Sequence, residues 1–201
     1  MTRRLGVGFA LGLLLFAAAP ARADEWSDLR ALLIDGDDIQ VEEAALKLAA
    51  ATNKESLDVI LDGLSVGMGP RTQTVLLASL AGRKDPRALD VLARYARSRN
   101  IEVRKKAIVA LSELPLEKST DVLIGALSDS IEEVRGVAAL ALGKRKAAKA
   151  EKPLMRLFDK GDKAAAAALG QLGSADLARQ MTEKIGTLPD AQVAAFIALS
   201  F

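Results

Sequence analysis

Two short motifs in this chain of 201 residues contain residue types that could catalyse a reaction or bind a metal. The first is GLSVG at residues 63–67, which has the G-x-S-x-G spacing of a turn that exposes a nucleophilic serine, here Ser65. Such a serine needs a histidine as its general base, and the chain contains no histidine. Because the flanking residues have helical periodicity, we interpret Ser65 as a loop serine between two helices, without a catalytic role.

The second motif is an acidic turn, DGDD, at Asp35–Asp38. Carboxylate oxygens are ligands that calcium prefers, but Gly36 comes too early for the calcium loop of an EF-hand. The alternative is a loop between two helices in which Asp37 or Asp38 is an N-cap. We favour the loop and leave calcium open. We predict no catalytic residue, no cofactor and no metal site, since the chain also lacks cysteine.

Basic side chains form a third set, because they could bind an anionic partner. Residues 24–70 contain 11 acidic and 3 basic side chains, whereas residues 71–160 contain 19 basic and 11 acidic ones. The candidate partner-binding residues lie near one predicted helix boundary and are Arg94, Tyr95, Arg97, Lys105 and Lys106. This cluster favours an acidic protein or peptide as the partner. The alternative is that these charges only solvate outer helix faces.

The N-terminus has the pattern of a signal peptide. The basic segment MTRR precedes an apolar run, LGVGFALGLLLFAAA, which is short for a membrane span, and ARA at residues 21–23 resembles a cleavage site. We expect cleavage after Ala23 and a mature chain of residues 24–201 that is periplasmic or secreted from a bacterium, without stable membrane insertion. A retained membrane anchor is the alternative.

The mature chain is a poor candidate for nucleic-acid binding. Without the first 23 residues its net charge is −1, and only 3% of the whole chain is aromatic. Nucleic-acid binders usually combine a basic surface with aromatic side chains on which bases stack. We therefore do not expect DNA or RNA as a partner.

A period of 31 residues organises the chain after the signal segment. Val103, Arg104, Ala107 and Leu111 recur as Val134, Arg135, Ala138 and Leu142, and backward steps from Val103 reach Thr72 and Val41. A second series begins at Asp58, Asp90 and Asp121 and lies between the members of the first. Two interleaved series indicate two helices per unit, and apolar residues recur at i, i+3, i+4 and i+7 in each. No single pair of helices can bury its apolar face, so the pairs must stack.

Capping residues mark the predicted helix ends. The predicted N-caps are Asn53, Asp85 before Pro86, Asn100, Ser119, Asp162 and Ser174; Ser130 and Glu133 have capping-box spacing, Gly143 and Gly173 suit C-terminal stops, and Pro189 suits the start of the last helix. These signals give about six helical pairs, the last one short. We expect Trp26 to pack on the first helix of the N-terminal pair.

The repeat resembles the short bacterial HEAT-like repeat that is also found in phycobilin lyases. The family pattern is Asp, then Val-Arg five and six residues later, then Ala and Ala-Leu-Gly; the fourth unit matches it at Asp129, Val134, Arg135, Ala138, Leu142 and Gly143. The resemblance implies an all-α, right-handed α-solenoid over residues 24–201. It also implies that Asp129, Arg104 and Arg135 form a structural ladder between neighbouring repeats.

These features predict a non-catalytic scaffold, exported from a bacterial cytoplasm, that holds an acidic protein or peptide in the groove of the solenoid along its middle repeats. Two other functions remain open. One is an enzyme of the bilin lyase or isomerase kind, which only the resemblance implies. The other is salt-sensitive self-assembly, in which the acidic first repeats bind the basic centre of a neighbouring copy.

Overall fold

The computed structural model describes residues 23–173 together with residues 177, 179, 180 and 183. In chain order the helices are α1 (Ala23–Asp35), α2 (Asp38–Ala50), α3 (Lys54–Val66), α4 (Pro70–Arg83), α5 (Leu89–Tyr95), α6 (Ile101–Glu113), α7 (Glu117–Ala126), α8 (Glu132–Lys144), α9 (Glu151–Phe158) and α10 (Lys163–Leu172). Single turns of 3-10 helix, Pro86–Ala88 and Ala148–Ala150, precede α5 and α9. No strand occurs in this described part, and the prediction of an all-α fold is confirmed.

The ten helices form five consecutive pairs, one for each complete predicted unit. The predicted N-cap at Ser174, the helix start at Pro189 and the sixth pair lie outside the described residues, as do residues 1–22. Among the residues that are described, no helix combines the length and the apolar character that crossing a bilayer requires.

The pairs are arranged as two layers of helices. The even-numbered helices, from α2 to α10, pack side by side in chain order, and each odd-numbered helix packs on the even-numbered helix of its own pair. Neighbouring odd-numbered helices contact each other much less beyond the first two. The odd-numbered helices cover one side of the even layer. We call the other side of the even layer the inner face.

Small side chains allow the close approach within the even layer. Ala138 and Ala139 of α8 and Ala165 of α10 are fully buried. A Cβ atom on Gly143 would lie only 2.8 Å from the Cα atom of Ala168, so α8 and α10 nearly touch there. The predicted stop at Gly143 is therefore wrong: α8 continues to Lys144, and the glycine serves helix packing.

One continuous apolar core runs through all five pairs. Its largest fully buried members come from both layers and include Leu48, Ile60, Leu76, Leu92, Ile108, Leu111, Leu123 and Phe158. Trp26 is partly buried against the same core, on α1 itself. Each pair therefore completes its apolar seam by contact with the next pair, as expected for a stack of repeats.

Most of the predicted caps are confirmed by hydrogen bonds. The side chains of Asn53, Asn100 and Asp162 accept hydrogen bonds from the backbone N–H groups three residues later at 3.0, 3.1 and 3.0 Å. Asp85 accepts from the N–H of Arg87 at 2.9 Å at the start of the first 3-10 turn. Gly173 ends α10 with φ +65°, as predicted.

Two predicted caps are wrong. Ser119 lies inside α7 and is fully buried, because α7 begins at Glu117 and its serine hydroxyl serves a contact between pairs. The pair Ser130 and Glu133 forms no capping box, since α8 begins after Ile131 without a side-chain cap. The carboxylate of Asp129 accepts the hydrogen bond from the Ile131 N–H at 2.9 Å instead.

Candidate binding groove

Neither of the two chemistry-bearing motifs forms a reactive site. Residues 63–67 include the end of α3, and Ser65 is a helical residue, not a loop serine, whose hydroxyl donates to the carbonyl oxygen of Leu61 at 2.8 Å. Asp37 is the N-cap of α2 and accepts hydrogen bonds from Ile39 N and Gln40 N at 3.0 and 2.9 Å. Within the described part of the chain no cluster of three or more potential ligands could hold a metal ion.

An apolar row crosses the inner face. Equivalent positions of α2, α4, α6 and α8 carry Leu46, Ala78, Val109 and Leu140, which we call the inner stripe. Leu46, Val109 and Leu140 are 52%, 45% and 47% exposed, although the other large apolar side chains of these helices are mostly buried. Because the four helices pack side by side, the stripe is a continuous apolar surface rather than a set of isolated side chains.

Small residues leave the surface beside the stripe open. One turn after Ala78, a Cβ atom on Gly82 would meet no atom within 4 Å. One turn before Leu140, a Cβ atom on Gly136 would meet only Ala164, at 3.6 Å. The inner face is therefore a shallow, open groove and not a closed pocket.

Lysines flank the inner stripe at the third and fourth pairs. Lys105, one turn before Val109, forms an ion pair with Glu102 at 2.8 Å, while the neighbouring Lys106 is exposed and has no ion-pair partner among the described residues. On the other side, Lys84 and Lys144 share one carboxylate, that of Glu113, at 3.6 and 3.8 Å. Beside Lys105, the carboxylates of Glu102 and Glu133 line the same depression, so on that side Lys106 supplies the positive charge without an ion-pair partner in the described part of the chain. On the other side two lysines face one carboxylate.

Two of the predicted partner-binding residues contact the preceding pair: Tyr95 is buried there, whereas Arg94 is exposed. Tyr95 is buried, and its hydroxyl donates to the carbonyl oxygen of Leu64 at 2.7 Å; burial raises the pKa of this phenol. Arg94 donates to the same oxygen at 2.6 Å, and its guanidinium lies 5.2 Å from the centre of the Tyr95 ring. Both side chains thus satisfy the C-terminal end of α3, and the expectation that Tyr95 contacts a partner is wrong because the ring is inside the stack.

Arg97 lies on another surface, the edge formed by the turns within each pair. It lines a cleft of about 480 Å³ between the third and fourth pairs, together with Arg99. Arg99 also borders the depression that contains Lys105, so it connects the two surfaces. The predicted cluster therefore divides into one buried residue, Tyr95, one exposed arginine that contacts the preceding pair, one edge residue and the two lysines beside the inner stripe.

The ladder residues connect successive pairs along the same edge. Arg104 Nε lies 2.9 Å from Asp129 Oδ2, and Arg104 Nη2 donates to Asp129 Oδ1 at 3.1 Å. The two side chains are 12% and 14% exposed. Arg135 repeats the arrangement with Asp162 at 3.5 Å and also donates to the carbonyl oxygen of Asp129 at 2.9 Å. Each arginine therefore joins its own turn to the turn of the next pair.

Two further arginines, which the sequence pattern did not single out, join the pairs at the opposite edge. Arg83 donates to the hydroxyl of Ser56 at 2.9 Å and to the carbonyl oxygens of Leu48 and Asn53 at 2.9 and 3.2 Å; it also donates to that of Ala51. The oxygens of Leu48 and Ala51 lie at the end of α2, where helix carbonyls lack partners in their own helix, and those of Asn53 and Ser56 lie at the start of α3.

Arg145 repeats this contact two pairs later. It donates to the hydroxyl of Ser119 at 2.8 Å and to the carbonyl oxygens of Leu111 and Leu116 at 3.3 and 3.2 Å. Burial lowers the pKa of both Arg83 and Arg145. The sequence signal was a spacing of 62 residues, twice the period, which an alignment of single units does not reveal.

Comparison with known proteins agrees with this geometry. A family model described as HEAT repeats matches residues 57–142. The sequence matches none of the curated proteins with which it was compared. The crystal structure of an engineered protein is similar, with a TM-score of 0.51 and 21% sequence identity, over 89% of this chain and 95% of that chain. The helical stack is therefore an α-solenoid whose second to fourth pairs match HEAT repeats.

Proposed function

We propose that this chain is a non-catalytic scaffold that holds another protein on the inner face of its solenoid. The observation that carries the proposal is the inner stripe, an exposed apolar row that four successive helices contribute at one position. Exposed apolar surfaces of this extent mark interaction sites in soluble proteins. Repeat solenoids present extended concave surfaces of this kind for binding. An open groove suits a protein segment better than a small substrate, which is usually enclosed.

The partner is an acidic protein or peptide. Lys106, which has no ion-pair partner among the described residues, lies one turn from the stripe, and Arg97 lies on the adjoining edge, so an anionic segment in the groove would approach positive charge there. Lys105 would exchange its ion pair with Glu102 for one with the partner. Arg94 is exposed and uses one of its N–H groups on the carbonyl oxygen of Leu64, so its other donors are available to an anionic partner. Complementary charge mainly raises the rate and the specificity of association.

The proposed setting is the bacterial periplasm or the outside of the cell. The basic segment, apolar run and ARA sequence that precede α1 support export with cleavage after Ala23. Export also fits a chain without cysteine, which needs neither a reducing compartment nor a disulfide.

Self-assembly is the second candidate function. It is favoured by the charge difference along the chain, since residues 24–70 carry a net charge of −8 and residues 71–160 one of +8. Light scattering at low and high ionic strength separates the two functions: a self-assembled protein dissociates as salt rises, because salt screens exposed charges. A chain that is monomeric at low salt rules out this candidate.

The first test is the double substitution Lys105→Glu and Lys106→Glu. We expect the variant to lose a protein that wild-type residues 24–201 capture from periplasmic extract. The melting temperature should change by less than about 3 °C, because exposed charges contribute little to stability. The control is Lys118→Glu with Lys152→Glu, which makes the same charge change at exposed positions of α7 and α9.

This experiment contradicts the proposed binding surface in two cases. In one, the double variant captures the same protein as well as the wild type does. In the other, the control variant loses the captured protein to the same degree, which would mean that net charge, and not the inner face, governs capture.

A further inference from the structure

We propose that the inner stripe is the docking site of an amphipathic α-helix whose apolar side chains recur every seven residues between acidic flanks. This inference rests on the proposed scaffold function and names the chemistry of the partner. It is carried by the spacing of the stripe, the small residues beside it and the lysines on both of its sides.

The spacing of the inner stripe matches a helix. Neighbouring packed helices lie about 8 to 10 Å apart, so Val109 and Leu140 are separated by about one such step. Seven residues of an α-helix make about two turns and advance about 10.5 Å. A helix that crosses the even-numbered helices therefore presents one apolar side chain, always on the same face, to each helix that it crosses.

An extended partner does not fit this spacing. A strand advances about 3.3 Å per residue, so three residues cover one step between neighbouring helices. Residues three apart in a strand point to opposite faces, and every second apolar side chain would then face solvent. The distance between neighbouring even-numbered helices therefore favours a helical partner over an extended one.

The surface beside the stripe has room for a helix. Ala78 is the smallest member of the stripe, and Gly82 has open space where a Cβ atom would be, while a Cβ atom on Gly136 would make an ordinary contact with Ala164 at 3.6 Å. Leu46, Val109 and Leu140 project between these small residues with about half of their surface exposed. The apolar face of an amphipathic helix packs on a surface where large apolar side chains lie beside small residues.

The lysines define the flanks of the partner helix. Lys105 and Lys106 precede Val109 by one turn, and Lys144 follows Leu140 by one turn. The side chain of Lys144 is 80% exposed and has only a distant ion pair, 3.8 Å from Glu113. Acidic residues on both sides of the apolar row of the partner would therefore meet positive charge.

The test uses a fluorescently labelled peptide of about three heptads with leucine at the first and fourth heptad positions and glutamate on both flanks. A scrambled peptide of the same composition is the control ligand. The full-length protein is compared with the variant Val109→Glu/Leu140→Glu. The control protein is Val66→Glu, which changes an apolar residue that is 65% exposed at the end of α3, away from the stripe.

We expect the heptad peptide to bind the wild type and the Val66→Glu control, to gain helical circular dichroism on binding, and to bind the double variant at least tenfold more weakly. The scrambled peptide should bind at least tenfold more weakly to the wild type. Both stripe residues are about half exposed, so we expect their substitution to leave the melting curve unchanged. An unchanged melting curve would show that the weaker peptide binding does not result from unfolding.

Four results would overturn the inference: no binding of the heptad peptide, equal binding of the scrambled peptide, binding without a gain in helicity, or equal losses in the stripe variant and the Val66→Glu control. The inference and the proposed function can fail separately. If a protein captured from periplasmic extract needs Lys105 and Lys106 but not Val109 and Leu140, the helix-docking inference is wrong and the scaffold function stands.

Discussion

Replacing Arg83 with methionine is expected to lower the free energy of unfolding by about 2 to 3 kcal/mol, the usual effect of removing hydrogen bonds from a charged donor to buried acceptors. Arg83 has four acceptors at the boundary between the first two pairs, three of them backbone carbonyl oxygens. Methionine keeps the length of the side chain but leaves these oxygens without the donor. The positive charge also lies at the C-terminal end of α2, where the helix dipole favours it.

Urea unfolding followed by circular dichroism measures this effect. Arg71→Met is the matched control, because Arg71 is in the same helix but its side chain is 81% exposed in a surface ion pair with Glu42. We expect that control to change the unfolding midpoint little, since exposed ion pairs contribute little. Equal midpoints for Arg83→Met and the wild type would show that this partly buried arginine contributes nothing to the joint between the pairs.

The equivalent joint between the second and third pairs has apolar residues in place of an arginine and a serine. Leu114 stands 31 residues after Arg83, and Ala88 stands near the position that corresponds to Ser56; both are buried. The double variant Ser56→Ala/Arg83→Leu copies that apolar pair. The three carbonyl oxygens stay without the donor in both variants, so any stability that the double variant recovers relative to Arg83→Met comes from the apolar contact.

Replacing Gly143 with alanine is expected to destabilise the protein by about 1 to 3 kcal/mol, the typical cost of adding a methyl group to a filled core. The added Cβ atom would lie 2.8 Å from Ala168 Cα and 3.0 Å from Ala168 O, and backbone atoms cannot move aside as a flexible side chain can. The helices α8 and α10 would have to separate, although they form the closest contact of the even layer.

Gly136→Ala is the matched control for this prediction. Gly136 is in the same helix, and its added Cβ atom would meet only Ala164 at an ordinary 3.6 Å. Alanine stabilises a helix interior by about 0.5 to 1 kcal/mol relative to glycine. The two substitutions should therefore shift the urea midpoint in opposite directions, and a shift of Gly143→Ala towards higher stability would contradict the close contact.

Helix boundaries were predictable from the sequence where the signal was local. Asn53, Asn100 and Asp162 each cap a helix through a hydrogen bond to the backbone three residues later, and such a contact depends on adjacent residues alone. The 31-residue period likewise comes from apolar positions within single helices. These local signals predict the all-α fold and the number of pairs in the described range.

The wrong predictions concern residues whose role depends on a neighbouring pair. Ser119 has the type of an N-cap, but its hydroxyl donates to the carbonyl oxygen of Leu114, at the end of α6 in the preceding pair, and accepts from Arg145. Gly143 has the type of a helix stop, but it is required by the backbone of α10. Tyr95 resembles an exposed aromatic anchor, yet its hydroxyl reaches the end of α3. The contacts of Tyr95 and Ser119 join residues 31 and 26 positions apart in the sequence, so the types of the adjacent residues do not predict them.

The alignment of the repeats did not reveal the inner stripe, because it shifted the first pair by one residue relative to the second. The sequence alignment placed Val41 opposite Thr72, at 31 residues, whereas the buried residues of α2 and α4 correspond at 32. The alignment at 32 residues places Leu46, not Lys47, opposite Ala78. Only this register brings Leu46 into the exposed apolar row of the later helices.

The structure also shows a period of two pairs. The 3-10 turns Pro86–Ala88 and Ala148–Ala150 are 62 residues apart, as are Arg83 and Arg145. Lys84 and Lys146, which have positive φ angles of 51° and 50°, share the same spacing. In the described part of the chain, two arginine joints therefore lie two helical pairs apart, with one apolar position, Leu114, between them.

Distances between spin labels on the inner face test the solenoid most directly. The chain contains no cysteine, so cysteine pairs introduced at the exposed positions Leu46, Ala78 and Leu140 carry labels without background. A stack of pairs about 10 Å apart predicts a distance of about 20 Å for 78 with 140 and about 30 Å for 46 with 140, increasing with each pair. A 46–140 distance equal to or shorter than the 78–140 distance would contradict the stacked arrangement.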